Sequence, residues 1–208
     1  MLKIWGRDTS SNVMKLLWLC EELGIPFERL DAGGSFGRTR EPAYLAMNPN
    51  ARIPTIEEPD GFAMWESNTI CRYLVATRAP GHPMHPTDPR ARARTERWMD
   101  WQLGHINAPM TTIFFTYIRT PEEKRDWPAT HAARDEAQSL WDMVEGSLGT
   151  APYLGGDQPS LADIALGPQL HRWLSLPITR APQPCVTAWH ARLMARPGFA
   201  RHVAVPMS

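Results

Sequence analysis

The spacing of hydrophobic positions changes character about eighty residues into the chain. In the first stretch, short apolar runs alternate with helical patterns. Leu2-Lys3-Ile4-Trp5 reads as a strand. Val13, Leu16, Cys20 and Leu23 recur at helical spacing and predict a helix from Ser10 to Leu23, with Gly24 placed to end it. Phe27-Glu28-Arg29-Leu30 follows Pro26 as a second strand, and a glycine-rich loop at Gly33, Gly34 and Gly37 leads to a short helix from Pro42 to Met47. Ile53 to Glu57 and Phe62 to Trp65 flank Pro59-Asp60-Gly61, a hairpin signal. Ile70, Cys71 and Leu74 then mark one face of a helix from Ser67 to Thr77. The order is β-α-β-α-β-β-α.

Ala79-Pro80-Gly81-His82-Pro83-Met84-His85-Pro86 fits neither period and reads as a linker. Beyond it every convincing pattern is helical: Arg90 to Gly104 or further, Ala132 to Leu148, Ser160 to Leu174, and Pro184 to Ala195 ahead of Arg196-Pro197-Gly198. The chain therefore divides into an α/β domain over 1–78, a linker over 79–87 and an all-α domain over 88–208. It contains no internal repeat and no low-complexity segment.

The 208 residues carry 22 Lys and Arg against 22 Asp and Glu. A charge balance of this kind gives no electrostatic case for nucleic acid or an anionic membrane surface. Met1 to Arg7 holds no apolar run long enough for a signal peptide or a membrane span. Cys20, Cys71 and Cys185 are odd in number and far apart, as expected of buried thiols in a reducing compartment. A cytoplasmic location is expected, and no spacing of His, Cys and carboxylates suggests a metal. Gly33-Gly34-x-x-Gly37 follows no phosphate-loop pattern.

Three places could carry chemistry. Ser10, Ser11 and Asn12 stand where the first strand gives way to the first helix. They can cap orphan amides, or one hydroxyl can meet a thiol held near the positive end of that helix. Lowering a thiol pKa by about two units takes roughly 2.7 kcal/mol. One charge-assisted hydrogen bond, roughly 1.5–3 kcal/mol, together with the helix dipole is about enough. The second place is Arg52-Ile53-Pro54-Thr55-Ile56. Pro54 has no amide proton for a central ladder, so it fits a strand start, especially as a cis bond, which leaves the backbone of Ile53 free to pair with an extended ligand. An ordinary edge strand explains the same pattern, and Arg52 reads either as a solvated arginine or as a partner for a distal carboxylate. Third, Glu66-Ser67 opens a helix with a carboxylate, a hydroxyl and unpaired amides, a set suited to an amino-acid head group. A plain helix start would also account for it. Ser160-x-x-Asp163 is a capping box assigned to folding. The tryptophans Trp98, Trp101, Trp141, Trp173 and Trp189 fall mostly on apolar helix faces and read as core.

Taken together, these segments resemble the glutathione transferases of the bacterial cytosolic kind, serine-type and theta- or nu-like. The resemblance covers nearly the whole chain. It is carried by Ser10-x-Asn12-x-x-Lys15 with Glu21-Glu22-Leu23-Gly24-Ile25-Pro26-Phe27-Glu28, by Asn48 to Thr55, by Trp65-Glu66-Ser67-Asn68-Thr69-Ile70-x-Arg72-Tyr73-Leu74, and by Ser160-Leu161-Ala162-Asp163-Ile164-Ala165. It implies a thioredoxin-like domain followed by an all-helical one, usually as a homodimer, with glutathione as co-substrate. On this resemblance Ile53, ahead of a cis Pro54, would pair with the cysteinyl part of glutathione. Glu66 and Ser67 would hold its γ-glutamyl head, Arg52 would be placed for a distal carboxylate, and Ser10 would stabilise the thiolate, while Asn12 resembles a helper of members that reduce glutathione-linked disulfides. Ser11 beside Ser10 leaves that assignment open by one residue. No tyrosine lies near Ser10 and no cysteine starts the first helix, which argues against a tyrosine-type mechanism or a mixed disulfide on the protein. The implied activity is conjugation of the thiolate to a small hydrophobic electrophile. Reduction of disulfides or peroxides at the same sulfur and a non-catalytic binding module are the alternatives. Trp101, His105, Met110 and Phe114 are candidate walls of the electrophile pocket.

Overall fold

A computed structural model describes residues 1–207. Four short strands, β1 (Leu2–Trp5), β2 (Phe27–Leu30), β3 (Thr55–Glu57) and β4 (Ala63–Trp65), form one sheet in the order β2-β1-β3-β4. β1 runs parallel to β2 and antiparallel to β3, and Ile4 stands opposite Ile56. The parallel pair requires a crossover, supplied by α1 (Ser11–Glu22). After α2 (Pro42–Met47) comes the β3–β4 hairpin, and α3 (Ser67–Arg78) closes this mixed thioredoxin-like unit. Residues 79–88 contain no helix or strand.

The rest is helical: α4 (Pro89–Trp101), α5 (Asn107–Phe114), α6 (Trp127–Leu148), α7 (Leu161–Ser175), α8 (Pro184–Met194) and α9 (Pro197–His202). Two π-helical turns, 102–106 and 115–119, continue α4 into α5 and α5 beyond Phe114. α6 begins five residues before the expected Ala132, because Asp126 accepts from the Ala129 amide (2.9 Å) and Pro128 suits a first helical turn. Arg196-Pro197-Gly198 does not simply end the chain's helices. Pro197 is the first residue of α9.

α1 joins the halves. It packs against α3 on one side and against α7 and α9 on the other. The Trp18 indole meets Phe199 edge-on at 5.0 Å between ring centres. Gly167 and Gly198 allow that approach, since a Cβ at either would lie 2.6 or 2.9 Å from the indole. Asp163, fully buried, completes the capping box of α7 and accepts from Ser160 N (2.7 Å), Leu154 N (2.9 Å) and Trp189 Nε1 (2.9 Å). The box expected to serve folding therefore also ties α7 to α8. No helix among the described residues is long and apolar enough to cross a membrane.

Candidate functional site

Where β1 feeds α1, the chain meets the Ile53 loop and the second half of the protein around a cleft of about 470 Å³. Ser10, Ser11 and Asn12 border it at the head of α1, and Arg52 and Ile53 face them from the loop before β3. Ser10 occupies the N-cap position with extended backbone, yet its side chain makes no capping bond. Its carbonyl accepts from the Met14 amide at 2.8 Å. The hydroxyl thus remains available at the end of a helix whose dipole favours negative charge.

The peptide Ile53-Pro54 is cis. The sequence pattern extends this strand back to Ile53, but the ladder begins at Thr55, since Pro54 has no proton to give it. Two residues hold the loop from below. Tyr44 Oη donates to the Arg52 carbonyl at 2.6 Å and lies 2.8 Å from Thr55 Oγ1. Asn48 Nδ2 donates to the same carbonyl (2.9 Å) and to Thr55 Oγ1 (3.0 Å). Arg52 itself is exposed at the rim, its carbonyl committed inward. The side chain of Ile53 rests against Gly33, where an added Cβ would come within 3.1 Å of it and where φ is 75°.

Pro54 is buried, and Glu66 and Ser67 do not border this cleft. Glu66 stands exposed before α3 with φ 72°, a left-handed conformation rare for a residue with a side chain. Ser67 is 4 % exposed, and its hydroxyl donates to Asn12 Oδ1 at 3.3 Å. That bond joins the head of α3 to the head of α1. Behind it lies Lys15, fully buried, whose ammonium donates to Gln102 Oε1 (2.7 Å), Asn68 Oδ1 (3.0 Å) and, more weakly, Ser67 Oγ (3.5 Å). Burial lowers the Lys15 pKa to about 8, partly opposed by the charge of Glu66. Gln102 passes the network on to Asn107, on the far wall of the cleft (3.4 Å).

The far wall differs from expectation. Of the four candidates, Phe114 alone borders the cleft. Met110 is core, while Trp101 and the exposed His105 stack on each other 5.8 Å apart, outside it. The wall is built instead by Asn107, Thr111 and Phe114 of α5, by Phe115 and Arg119 of the second π turn, and by Arg172 of α7. Burial, then the charges of Arg119 and Arg7, lower the Arg172 pKa to about 9. Lys15 and Arg172 share one sequence signal, a cation inside an otherwise apolar helical run. Nothing so local marks Tyr44, and Asn48 enters only as the first residue of the motif Asn48 to Thr55. Among the described residues no cluster of His, Cys, Asp and Glu is disposed to hold a metal ion.

Residues 9–77 match the family model for the glutathione S-transferase N-terminal domain, and residues 106–197 match that for the C-terminal domain. The chain is 34% identical over 209 aligned positions to glutathione S-transferase GstB of Escherichia coli, with both chains covered in full. Against disulfide-bond oxidoreductase YfcG of Escherichia coli it is 30% identical, covering 89% of this chain and 87% of that one. Its fold superposes with a TM-score of 0.94 and 39% identity on the theta class glutathione S-transferase from Xanthomonas axonopodis pv. citri, solved with glutathione bound, over 100% of this chain and 99% of the other.

Proposed function

The chain belongs to the glutathione S-transferase family, and from that premise we propose that it binds glutathione along the α1 and β3 side of the cleft and transfers it to an electrophile entering from the helical side. The observation that carries the mechanism is the uncapped hydroxyl of Ser10 at the N-terminus of α1. In this reading Ile53 pairs its backbone with the cysteinyl unit, which puts the thiol within reach of Ser10. Ser10 donates a hydrogen bond to the sulfur while keeping its proton and so favours the thiolate, with the α1 dipole acting in the same direction. Glu66 and Ser67 receive the γ-glutamyl head, and Asn12, bonded to Ser67, spans head group and sulfur. Arg52, at the rim of the cleft, is placed for the distal carboxylate of glutathione. The protein's contribution is thiolate stabilisation and proximity, not acid–base work on the electrophile. The apolar part of that electrophile lies against Ile53, Phe114 and Phe115. On family grounds we place the enzyme in the cytoplasm as a homodimer.

The test is calorimetric binding of glutathione together with the ultraviolet absorbance of the bound thiolate against pH, for wild type, Ser10→Ala and Ser11→Ala. Wild type should ionise the bound thiol well below its free value. Ser10→Ala should still bind but give back roughly one to two pKa units, the equivalent of one charge-assisted hydrogen bond. Loss of the shift in Ser11→Ala alone would transfer the role by one residue, and no shift in wild type would refute the mechanism. A second reading, reduction of glutathione-linked disulfides, is favoured by the YfcG match and by Asn12 at the head of α1. It predicts turnover of a small organic disulfide with two glutathiones, the first forming a mixed disulfide and releasing a thiol, the second releasing oxidised glutathione.

A further inference from the structure

The proposed handling of glutathione uses neither Arg7, Arg119 nor Arg172, which also line the cleft. Arg172 is 7 % exposed, yet it borders the opening. Its guanidinium carbon lies 3.8 Å from the centre of the Phe114 ring, and its Nη2 donates to the Thr9 carbonyl at 3.3 Å. Arg7 lines the same space from the turn after β1, and Arg119 from the π turn after α5. The wall of this cleft includes no Asp or Glu among the described residues. Burying a guanidinium with a carbonyl as its polar partner and no carboxylate is costly, and an arriving anion offsets that cost. Beside the arginines lie Phe114 and Phe115, the latter 46 % exposed, a surface suited to a flat apolar body.

Resting on the transferase reading, we infer that this enzyme's second substrate is an aromatic electrophile bearing a carboxylate, which Arg172 and Arg7 receive while the ring lies on Phe114 and Phe115. A carboxylate matches the planar guanidinium fork. In a substitution of this kind the sulfur forms a bond to the ring carbon that carries a halogen. The carbon–halogen bond breaks and its electron pair leaves with the halide. The thiol proton has already gone to solvent, and the carboxylate is unchanged.

Calorimetry on the full chain tests this with three ligands: glutathione, S-(4-carboxyphenyl)glutathione and S-(4-carbamoylphenyl)glutathione, the last two nearly equal in shape and differing in charge. The carboxylate should bind about ten- to a hundredfold tighter than the amide, with a preference that shrinks as salt is added. Arg172→Met and Arg7→Met should each cut the ratio of the two affinities by about tenfold. Arg172→Lys should restore part of it, since charge returns without the fork. Should Arg172→Met fail to fold, as judged by circular dichroism, Arg7→Met carries the comparison. Equal affinities, or a preference that survives both methionine variants, overturn the inference and leave the transferase reading intact provided glutathione binds. Glutathione binding without either conjugate overturns it as well. If glutathione itself fails to bind, both readings fall.

Discussion

Lys15 makes a prediction that can be worked from the structure. It has no exposed surface, and its partners are neutral oxygens of Gln102, Asn68 and Ser67. Its pKa falls to about 8 in the folded protein, chiefly through burial, against about 10.4 in an unfolded chain. Below pH 8 both states hold the proton, and the folded state bears the whole penalty of a buried charge. Between pH 8 and about 10.4 the folded state has released its proton while the unfolded chain keeps it, so stability rises with pH. The gap corresponds to about 3 kcal/mol at full extent. Buried thiols act in the opposite sense. Cys71 is pushed up to about 12 and Cys20 is raised as well, so their contributions decline as pH rises. The comparison must therefore be wild type minus Lys15→Met, by urea unfolding followed through tryptophan fluorescence at fixed protein concentration from pH 7 to 10. Lys15→Met leaves the oxygens of Gln102 and Asn68 without their donor, at about 1–3 kcal/mol each. That cost does not depend on pH, so it moves the level and not the slope. Wild type should gain on the variant by about 2 kcal/mol over the range. A flat difference would refute the idea that Lys15 is a buried ammonium at neutral pH whose hydrogen-bond partners are all neutral.

Other expectations concern the site and its frame. Glu66→Ala with Ser67→Ala should weaken glutathione binding by about a hundredfold or more, the equivalent of roughly 3 kcal/mol, and calorimetry showing unchanged affinity would exclude the head-group role. Gly33→Ala places a Cβ 3.1 Å from Ile53 Cδ1 in a left-handed backbone. It should cost about 1–2 kcal/mol in chemical denaturation and raise the glutathione Kd several-fold by moving Ile53. Asp163→Ala removes the acceptor for two backbone amides and the Trp189 indole. A loss of about 3–5 kcal/mol is expected, visible as a large fall in Tm, while a fall of only a degree or two would show that the hub is dispensable.

The alternation of strand and helix patterns up to residue 78 was legible because each element's buried face repeats at its own period, and Gly and Pro mark the ends. Ile4 and Ile56 meet across the sheet, as alternating burial requires. The far wall of the cleft was not legible, for a reason that lies in the backbone. Extending the helical face of Trp98 and Trp101 forward points to His105, then onward at steps of 3.6 residues. The π turn at 102–106 inserts an extra residue and turns everything after it by about 100°. Trp101, ahead of the turn, and His105, stacked on it, lie outside the cleft, while Asn107, Thr111 and Phe114 beyond the turn take it. Phe115 and Arg119 belong to a second such turn.

Long-range placement was hidden for a different reason. Arg172 reaches the cleft only because α7 packs on α1, which sets its guanidinium against a carbonyl 163 positions earlier. Sequence shows that Lys15 and Arg172 are cations set among residues destined for burial, and burial of both is what the structure contains. It does not show what each ion faces, and that difference decides their roles. Three neutral side-chain oxygens converge on Lys15 from α3 and the first π turn, so its donors are satisfied within the protein and it serves as a post between the two halves. Among the described residues, Arg172 has one carbonyl, an aromatic face and an opening. A cation with donors to spare beside an opening can be completed by what enters, and an anion is what completes it.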